Sequence, residues 1–357
     1  MNIDSLVRNN VKNMSSYSSA RDDFKNDYDN KLIYLDANES PFDNWINSYP
    51  NNNHIKLKKV VSNLKNVNIN QVVFGNGTDE ILDLIVRVFC NPNKDQIITL
   101  PPTYGMYDVI AKTNGVENIE IPLTSDFSIN KNEILKLSSS KIKVLFLCSP
   151  NNPTGNSFDT NDLNDLIKGF KGIVVVDEAY IDFSSQESLI SLINDNNNLI
   201  ITQTMSKAFG MAGVRLGMGF SNEKIICYLN KIKPPYNLNV LTERKALEEL
   251  NKIDKIKKNI ALILNEKKLL ISCLEKLDFV EKIHESDANF LLVKVDNADL
   301  RYDQLLEKGV VVRNRSNQPL CQNCLRITIG TKNDNNSLIK TLNELWKKFY
   351  LLIEMEL

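Results

Sequence analysis

Hydrophobic positions in the first two thirds of the chain form short runs separated by amphipathic stretches. The runs are nearly continuous Val, Ile, Leu and Phe, as is typical of strands that are buried on both faces. Runs and amphipathic stretches alternate as follows: 71–74 then 81–90, 96–100 then 106–114, 144–148 then 163–170, and further runs at 173–176 and 199–202. This alternation predicts an α/β fold with a mostly parallel mixed sheet flanked by helices.

A second unit begins near Pro234-Pro235, because two adjacent prolines stop a helix. The elements predicted beyond it are a long helical region, three strands and a last helix, at residues 242–277, 290–295, 309–313, 325–329 and 337–354. We therefore expect a large domain over residues 31–235 and a smaller α+β domain over 236–357. Residues 1–30 are polar, and we expect them to form an N-terminal arm that packs on the small domain or the active site.

Composition and charge narrow the class of protein. The 357 residues include 43 Lys and Arg against 44 Asp and Glu, so the net charge is -1. A nucleic acid or an anionic membrane is therefore not expected as the main partner. No apolar run reaches the roughly 20 residues of a membrane helix, and the first residues lack the apolar stretch of a signal peptide. The expected compartment is the cytoplasm.

Histidine and cysteine chemistry is restricted by the number and spacing of these residues. His54 and His284 are the two histidines, which excludes a His-rich metal site and leaves a Ser-His-Asp triad only two candidate bases. Six cysteines in a chain of this length do not form a secreted disulfide framework. Cys321 and Cys324 form a lone C-x-x-C, for which two thiols in a turn are preferred over a redox or metal site. No metal is expected.

Residues 75–80 (Gly-Asn-Gly-Thr-Asp-Glu) join a predicted strand to a predicted helix. The two glycines allow close approach of the backbone, and Thr78 and Asp79 can begin the helix. Free N–H groups at the start of a helix bind anions such as phosphate. Glu80 stands where a dinucleotide fingerprint would have its third glycine, so that fingerprint is absent. A phosphate cradle and a simple capped helix after a tight turn are both compatible with the segment.

Two loops at the carboxyl ends of predicted strands carry polar side chains, at the edge where open α/β sheets bind ligands. In residues 149–155 (Ser-Pro-Asn-Asn-Pro-Thr-Gly), Asn152 can donate its amide to a ligand oxygen, although an ordinary turn has the same composition. Asp177 ends the buried run 173–176, and a buried carboxylate is costly without a partner. We expect it to face a cation such as a protonated ring nitrogen, with the Tyr180 phenol on the same ligand. A strand that ends at a surface Asp is the alternative.

The segment after the run at 199–202 contains a lysine among small and apolar residues (Thr-Met-Ser-Lys-Ala-Phe-Gly, 204–210). Desolvation and nearby positive charge lower the pKa of a lysine, so Lys207 is a candidate nucleophile. Thr204, Ser206 and Arg215 can together hold a phosphate, Arg215 through a forked contact. With the segments above, this set matches what pyridoxal 5′-phosphate (PLP) requires: a Schiff-base lysine, an acidic partner for its ring nitrogen and a phosphate cup.

The chain resembles the fold-type I, class-II PLP-dependent aminotransferases, and among them the histidinol-phosphate aminotransferases. The resemblance extends from about Tyr17 to Thr331 and rests on matching segments at 17–21, 35–41, 49–50, 75–80, 102–104, 149–155, 177–180, 204–210 with Arg215, 235–237 and 324–330. The segments 149–155 and 204–210 are specific for the superfamily, whereas 17–21 and 35–41 point to the family. One departure is Asn-Glu-Ser-Pro at 38–41, where Asn-Glu-Asn-Pro is commoner.

The resemblance implies a role for each matching residue. Lys207, Asp177 and Tyr180 would be the catalytic residues, with Lys207 joined to PLP and Asp177 on the pyridinium nitrogen. The other implied cofactor contacts are Tyr180 and Asn152 on the ring hydroxyl oxygen, Tyr104 on the ring face, and Thr78, Asp79, Thr204, Ser206 and Arg215 on the phosphate. Tyr49 would reach the phosphate from the other subunit, which implies a homodimer. The residues that would face substrate are Tyr17, Asn38, Arg313 and Arg326.

The implied reaction transfers the amino group of L-histidinol phosphate to 2-oxoglutarate and gives imidazole acetol phosphate and glutamate, a step of histidine biosynthesis. An aromatic amino acid aminotransferase has nearly the same core motifs, and a threonine-phosphate decarboxylase has a similar scaffold, so both remain alternatives. A PLP-binding regulatory module is disfavoured, because the first 30 residues are too short and not basic enough for an added DNA-binding domain.

Overall fold

The computed structural model describes residues 1–17, 33–137 and 139–356, the last eleven of these by their backbone alone. The strands of its larger sheet are β1 (Val72–Asn76), β2 (Gln96–Thr99), β3 (Glu117–Glu120), β4 (Ile142–Cys148), β5 (Ile173–Asp177), β6 (Leu199–Thr204) and β7 (Leu216–Ser221). Their spatial order is β1-β7-β6-β5-β4-β2-β3. Strands β2 to β6 pair in parallel, and β7 pairs antiparallel with both β6 and β1. The predicted α/β fold with a mostly parallel sheet is confirmed.

Helices cover both faces of this sheet. They are α1 (Asn9–Asn13), α2 (Ile55–Lys65), α3 (Thr78–Phe89), α4 (Met106–Thr113), α5 (Lys131–Leu137), α6 (Thr160–Gly169) and α7 (Glu223–Ile232). Successive residues of β5 alternate between two hydrophobic clusters: Val174 and Val176 pack with α2, α5 and α6, whereas Ile173 and Val175 pack with α1, α3, α4 and α7. Burial on both faces explains why the strand sequences are continuously apolar.

A second, antiparallel sheet follows the prolines at 234–235. Its elements are α8 (Val240–Leu250), α9 (Ile253–Leu274), β8 (Val280–Ile283), β9 (Phe290–Val295), α10 (Ala298–Glu307), β10 (Arg313–Asn314), β11 (Cys324–Thr328) and α11 (Lys332–Glu356). The strand order is β10-β11-β9-β8. A separate hydrophobic cluster fills the space between this sheet and α9, α10 and α11, as expected for a smaller α+β unit. The strand expected at 309–313 is present only as the two-residue β10. Helix α8 follows the prolines in sequence but packs against α2 of the larger unit. The boundary at 235–236 stays a prediction.

The described part of the N-terminal arm lies on the larger unit. Ile3, Val7 and Val11 are buried in the cluster that contains α3 and α7. Asp4 forms an ion pair with Lys224 of α7, with an N–O distance of 2.6 Å. The start of the arm thus packs on the larger unit, and not on the small domain or the active site as we expected. Its three apolar residues recur at intervals of four and form a hydrophobic face that the polar composition concealed. The rest of the predicted arm, residues 18–30, lies outside the described residues.

The apolar pattern does not reveal two strands of the larger sheet: β3, which has one apolar residue in four, and β7, whose sequence, Leu-Gly-Met-Gly-Phe-Ser, contains two glycines. Gly217 pairs with Gly75 of β1. A Cβ atom at position 217 would overlap the backbone of Gly77 and Thr78, where α3 begins. Gly217 therefore lets β7 approach the turn at Gly77 and Thr78, the predicted phosphate cradle, which is a reason for glycine in a strand.

Among the described helices, none combines the length and the apolar character needed to cross a membrane.

We predict that Gly217→Ala lowers the free energy of unfolding by about 1–3 kcal/mol and weakens binding of PLP, because the added methyl group would displace the start of α3. Thermal denaturation and PLP titration measure the two effects. Gly105→Ala is the matched control, since a Cβ atom there meets no atom within 4 Å. If Gly217→Ala behaves like this control, the close approach of β7 is not a constraint.

Candidate active site

The carboxyl ends of several strands meet at one edge of the larger sheet and surround a cavity of about 290 Å³. Because β1 and β4 to β6 all end at this edge, residues that are far apart in sequence become neighbours. Eleven of the predicted site residues line the cavity: Thr78, Asp79, Tyr104, Asn152, Asp177, Tyr180, Thr204, Ser206, Lys207, Arg215 and Arg326. The structure thus brings together the segments that the sequence analysis singled out, although the role of each residue stays a prediction.

One end of the cavity has the features of an anion cradle. Helix α3 begins at Thr78 after Gly77, whose φ of 79° is the left-handed region that glycine tolerates, and no side chain caps the first turn. Gly77 N–H donates to the carbonyl of Arg215 over 2.7 Å, and the Arg215 guanidinium lies next to Gly77, where any Cβ atom would overlap it. The helix N-terminus and a guanidinium therefore face the same space, which suits a phosphate group.

Asp177 lies at the end of β5 and is 3% exposed. Its two oxygens accept hydrogen bonds from the Tyr107 hydroxyl, at 2.8 Å, and the Thr202 hydroxyl, at 3.2 Å. Burial raises the pKa of Asp177 from 3.8 to about 6, and the two hydrogen bonds oppose that rise because they stabilise the anion. No described Lys or Arg forms an ion pair with this carboxylate, so a cationic ring nitrogen would supply the missing partner.

Lys207 lies on the loop after β6 and lines the same cavity as Asp177. Its Nζ is 5.6 Å from the centroid of the Tyr180 ring. The pKa of Lys207 is lowered first by burial and then by the positive charge of Arg326. A lowered pKa increases the fraction of neutral amine at physiological pH, which is the nucleophilic form. The structure thus gives Lys207 the environment that its sequence context predicted.

Side-chain contacts fix the remaining walls of the cavity. The Tyr104 hydroxyl donates to Asp79 over 3.0 Å, while its ring meets the edge of Tyr107 with centroids 5.5 Å apart. Arg326 donates to the Asn152 side-chain oxygen and lies over the Phe290 ring, 5.4 Å from its centroid. Arg326 comes from the second sheet and Asn152 from the first, so both units contribute to the site.

Four predicted site residues lie outside the cavity of this chain: Tyr17, Asn38, Tyr49 and Arg313. Tyr17 is exposed beside α7, and Arg313 is exposed on β10 in register with Arg326. Asn38 and Tyr49 line a different depression, where the Tyr49 ring stacks on Tyr236 with centroids 4.7 Å apart. Asn38 and Tyr49 therefore lie together, but apart from Lys207 and Asp177.

Sequence reasoning missed three side chains that matter to the site. Tyr107 is fully buried between Tyr104 and Phe146, and it follows Tyr104 by about one helical turn. Thr202 is the register partner of Asp177 on the neighbouring strand, a relation that single-sequence patterns do not reveal. Arg315 lines the cavity, whereas Arg313, the nearby arginine that the sequence analysis named, does not.

The C-x-x-C pair and the histidines take no part in this site. Cys321 and Cys324 are buried free thiols, and burial raises their pKa to about 12 and about 11, which opposes thiolate chemistry. His54 and His284 do not line the cavity. No cluster of His, Cys, Asp and Glu that could hold a metal ion occurs within residues 1–17, 33–137 and 139–356.

The fold and the site define a class of enzyme, which comparison with known proteins identifies. The chain belongs to the family described as aminotransferase class I and II, whose family model matches residues 36–342.

Individual relatives narrow this assignment. A histidinol-phosphate aminotransferase from Flavobacterium psychrophilum is 54% identical over 344 residues, which cover 96% of this chain and 99% of that protein. The crystal structure of the histidinol-phosphate aminotransferase from Clostridium acetobutylicum has a TM-score of 0.78 at 26% identity and covers 85% of this chain and 92% of that one. The Sinorhizobium meliloti enzyme, solved in complex with pyridoxal-5′-phosphate, has the same fold, with a TM-score of 0.77 at 21% identity, and covers 85% of this chain and 83% of that one.

We predict that Asp177→Asn stabilises the protein freed of PLP, and that the gain depends on pH. The folded-state pKa near 6 exceeds the ordinary 3.8, so the native state binds the proton more tightly and loses stability as pH rises from about 4 through 6. Above that window the loss amounts to about 3 kcal/mol, which asparagine avoids. Urea unfolding of both proteins at pH 4.5 and pH 8 measures the difference. Equal stabilities at pH 8 would contradict the unpaired buried carboxylate.

Proposed function

We propose that this chain is a PLP-dependent transaminase that transfers the amino group of L-histidinol phosphate to 2-oxoglutarate, in histidine biosynthesis. The products are imidazole acetol phosphate and glutamate. The observation that carries the proposal is the presence, in one cavity, of the amine of Lys207 with its lowered pKa and the buried, unpaired carboxylate of Asp177. The choice of substrate is supported by the 54% identity to a histidinol-phosphate aminotransferase over nearly the whole chain.

The residues of the cavity fit PLP. Its phosphate would be held at the cradle, by the backbone N–H groups of Thr78 and Asp79 and by the side chains of Thr204, Ser206 and Arg215. Asp177 would bind the ring nitrogen, Asn152 and Tyr180 the ring oxygen, and Tyr104 the ring face. When bound, PLP supplies a cationic aromatic ring that takes up the electron pair left when a Cα–H bond of the amino substrate breaks.

The chain's own residues supply proton transfer and orientation. Asp177 keeps a ring nitrogen protonated, because an adjacent anion stabilises the charged form. The Lys207 amine would take the proton from the substrate Cα as a base and would then give it, as an acid, to the cofactor carbon. Arg326 orients the substrate, since a guanidinium forks onto a carboxylate or a phosphate equally well.

The proposal includes a homodimer in which Tyr49 of one subunit contacts the PLP phosphate in the site of the other. It is supported by the apolar segment 33–49, where Leu35 is 92% exposed, Ile33 85% and Phe42 81%. Such a concentration of exposed apolar side chains is typical of an interface. The proposed compartment is the cytoplasm, where the six free cysteines would stay reduced.

The decisive experiment is a donor screen with 2-oxoglutarate. Glutamate should form fastest with histidinol phosphate and much more slowly with phenylalanine or tyrosine. Faster turnover of the aromatic donors would instead favour an aromatic amino acid aminotransferase. Release of carbon dioxide from threonine phosphate, without glutamate, would favour the decarboxylase.

We expect Lys207→Ala to lower turnover by roughly 10²- to 10⁴-fold or more, because no described side chain can replace its amine as base. The variant should also lose the visible absorbance that survives gel filtration in the wild type. Lys168→Ala, an exposed lysine of α6, is the matched control. Turnover near the wild-type rate in Lys207→Ala would refute the assignment.

The subunit contact is tested by Leu35→Lys, which places a charge in the exposed apolar segment. We expect sedimentation analysis to show dissociation toward the monomer, together with weaker retention of PLP as the Tyr49 contact is lost. Leu262→Lys is the control, because Leu262 is also exposed, at 64%, but lies on α9. A wild-type monomer that retains PLP would overturn the dimer proposal and leave the transaminase proposal intact.

A further inference from the structure

Arg315 is a charged residue of the cavity that the reaction described above does not use. It lines the cavity beside Tyr180, Lys207 and Arg326. Its Nε atom is buried and has no hydrogen-bond acceptor among the described residues. A buried donor without a partner is costly, so the site is incomplete without a group that accepts from Arg315.

The charge around Arg315 points to an anion. Burial, and after it the positive charges of Arg326 and Arg313, lower the pKa of Arg315 to about 10. No described carboxylate forms an ion pair with Arg315 or Arg326. If Arg215 serves the cofactor phosphate, two neighbouring guanidinium groups remain for the substrate, and each can fork onto one anionic group.

The local backbone holds Arg315 in place. Its N–H donates to the carbonyl of Cys324 over 2.9 Å, immediately after β10, and its carbonyl accepts from the N–H of Gln318, also over 2.9 Å. The bond to Cys324 anchors the residue to β11, the strand that carries Arg326, and the bond from Gln318 closes the turn that follows. An anchored backbone keeps the position of Arg315 constant relative to Arg326, which suits a selective contact. Arg313, by contrast, is exposed and does not line the cavity.

We propose that Arg315 is a specificity-determining residue that binds, next to Arg326, the second anionic group of substrates that carry two. The inference rests on the proposed function and deepens it. The recognised chemistry is an anionic oxygen group, either the phosphate ester of the amino donor or the distal carboxylate of the dicarboxylic acceptor. Lys207 is the proposed base, so the contribution expected of Arg315 is to binding rather than to the chemical step.

The test compares Arg315→Gln and Arg315→Lys with the wild type in steady-state kinetics. We expect Arg315→Gln to raise KM for the anionic partner roughly 10- to 100-fold with little change in kcat, because a charge-assisted contact made equally in ground and transition states is lost. Arg315→Lys keeps the charge but not the fork, so its KM should lie between the two. Arg87→Gln, an exposed arginine of α3, controls for the loss of one positive charge.

Two arms identify the anionic group. A loss of kcat/KM for histidinol phosphate that is absent for unphosphorylated histidinol assigns Arg315 to the phosphate. Glutarate has two carboxylates and no amino group. If it inhibits Arg315→Gln more weakly than the wild type, Arg315 binds the distal carboxylate. Either result supports the proposal. Unchanged KM values and unchanged glutarate inhibition in Arg315→Gln would overturn it.

Glutarate binding to the PLP-loaded protein, measured by calorimetry, separates this proposal from the proposed function. It requires no turnover, so it still tests Arg315 if the wild type does not use histidinol phosphate. In that case an affinity for glutarate or for inorganic phosphate that falls in Arg315→Gln supports the anion-binding role alone, and equal affinities for both anions refute it.

Discussion

The site depends on one buried carboxylate at the end of a central strand. Asp177 is desolvated and held by the hydroxyls of Tyr107 and Thr202, yet no described cation neutralises it. A charge in this position destabilises the chain by itself and becomes favourable when a cation arrives. The sheet thus holds an unpaired anion ready for a ligand, and the lowered pKa of Lys207 on the facing loop complements it.

The fold explains how these groups converge. Parallel strands β4, β5 and β6 deliver Asn152, Asp177 and Lys207 to one edge, because each chain segment leaves the sheet at its carboxyl end. Arg215 immediately precedes the antiparallel strand β7, which starts at the same edge, and the close approach of β7 to the start of α3 requires a glycine at position 217. The second unit completes the cavity wall, because Arg326 of β11 and Arg315, which follows β10, both line the cavity.

Much of this arrangement could be predicted from the sequence, and the exceptions have physical causes. Continuous apolar runs predicted β4, β5 and β6, and residues at or after the ends of these strands form most of the cavity wall. Strand β7 was hidden because its glycines serve close packing, and Thr202 because register across strands leaves no trace in one sequence. Tyr49 and Asn38 lie apart from the cavity in one subunit, so a role for them there depends on a second copy of the chain.

The central claim is that a single amine, that of Lys207, holds the cofactor covalently opposite Asp177. Sodium borohydride reduction of the PLP-loaded protein, followed by proteolysis and mass spectrometry, fixes any such link permanently. We expect a pyridoxyl label on the peptide that contains Lys207 and on no other. A label on a different lysine, or no label on a protein that still binds PLP, would contradict it.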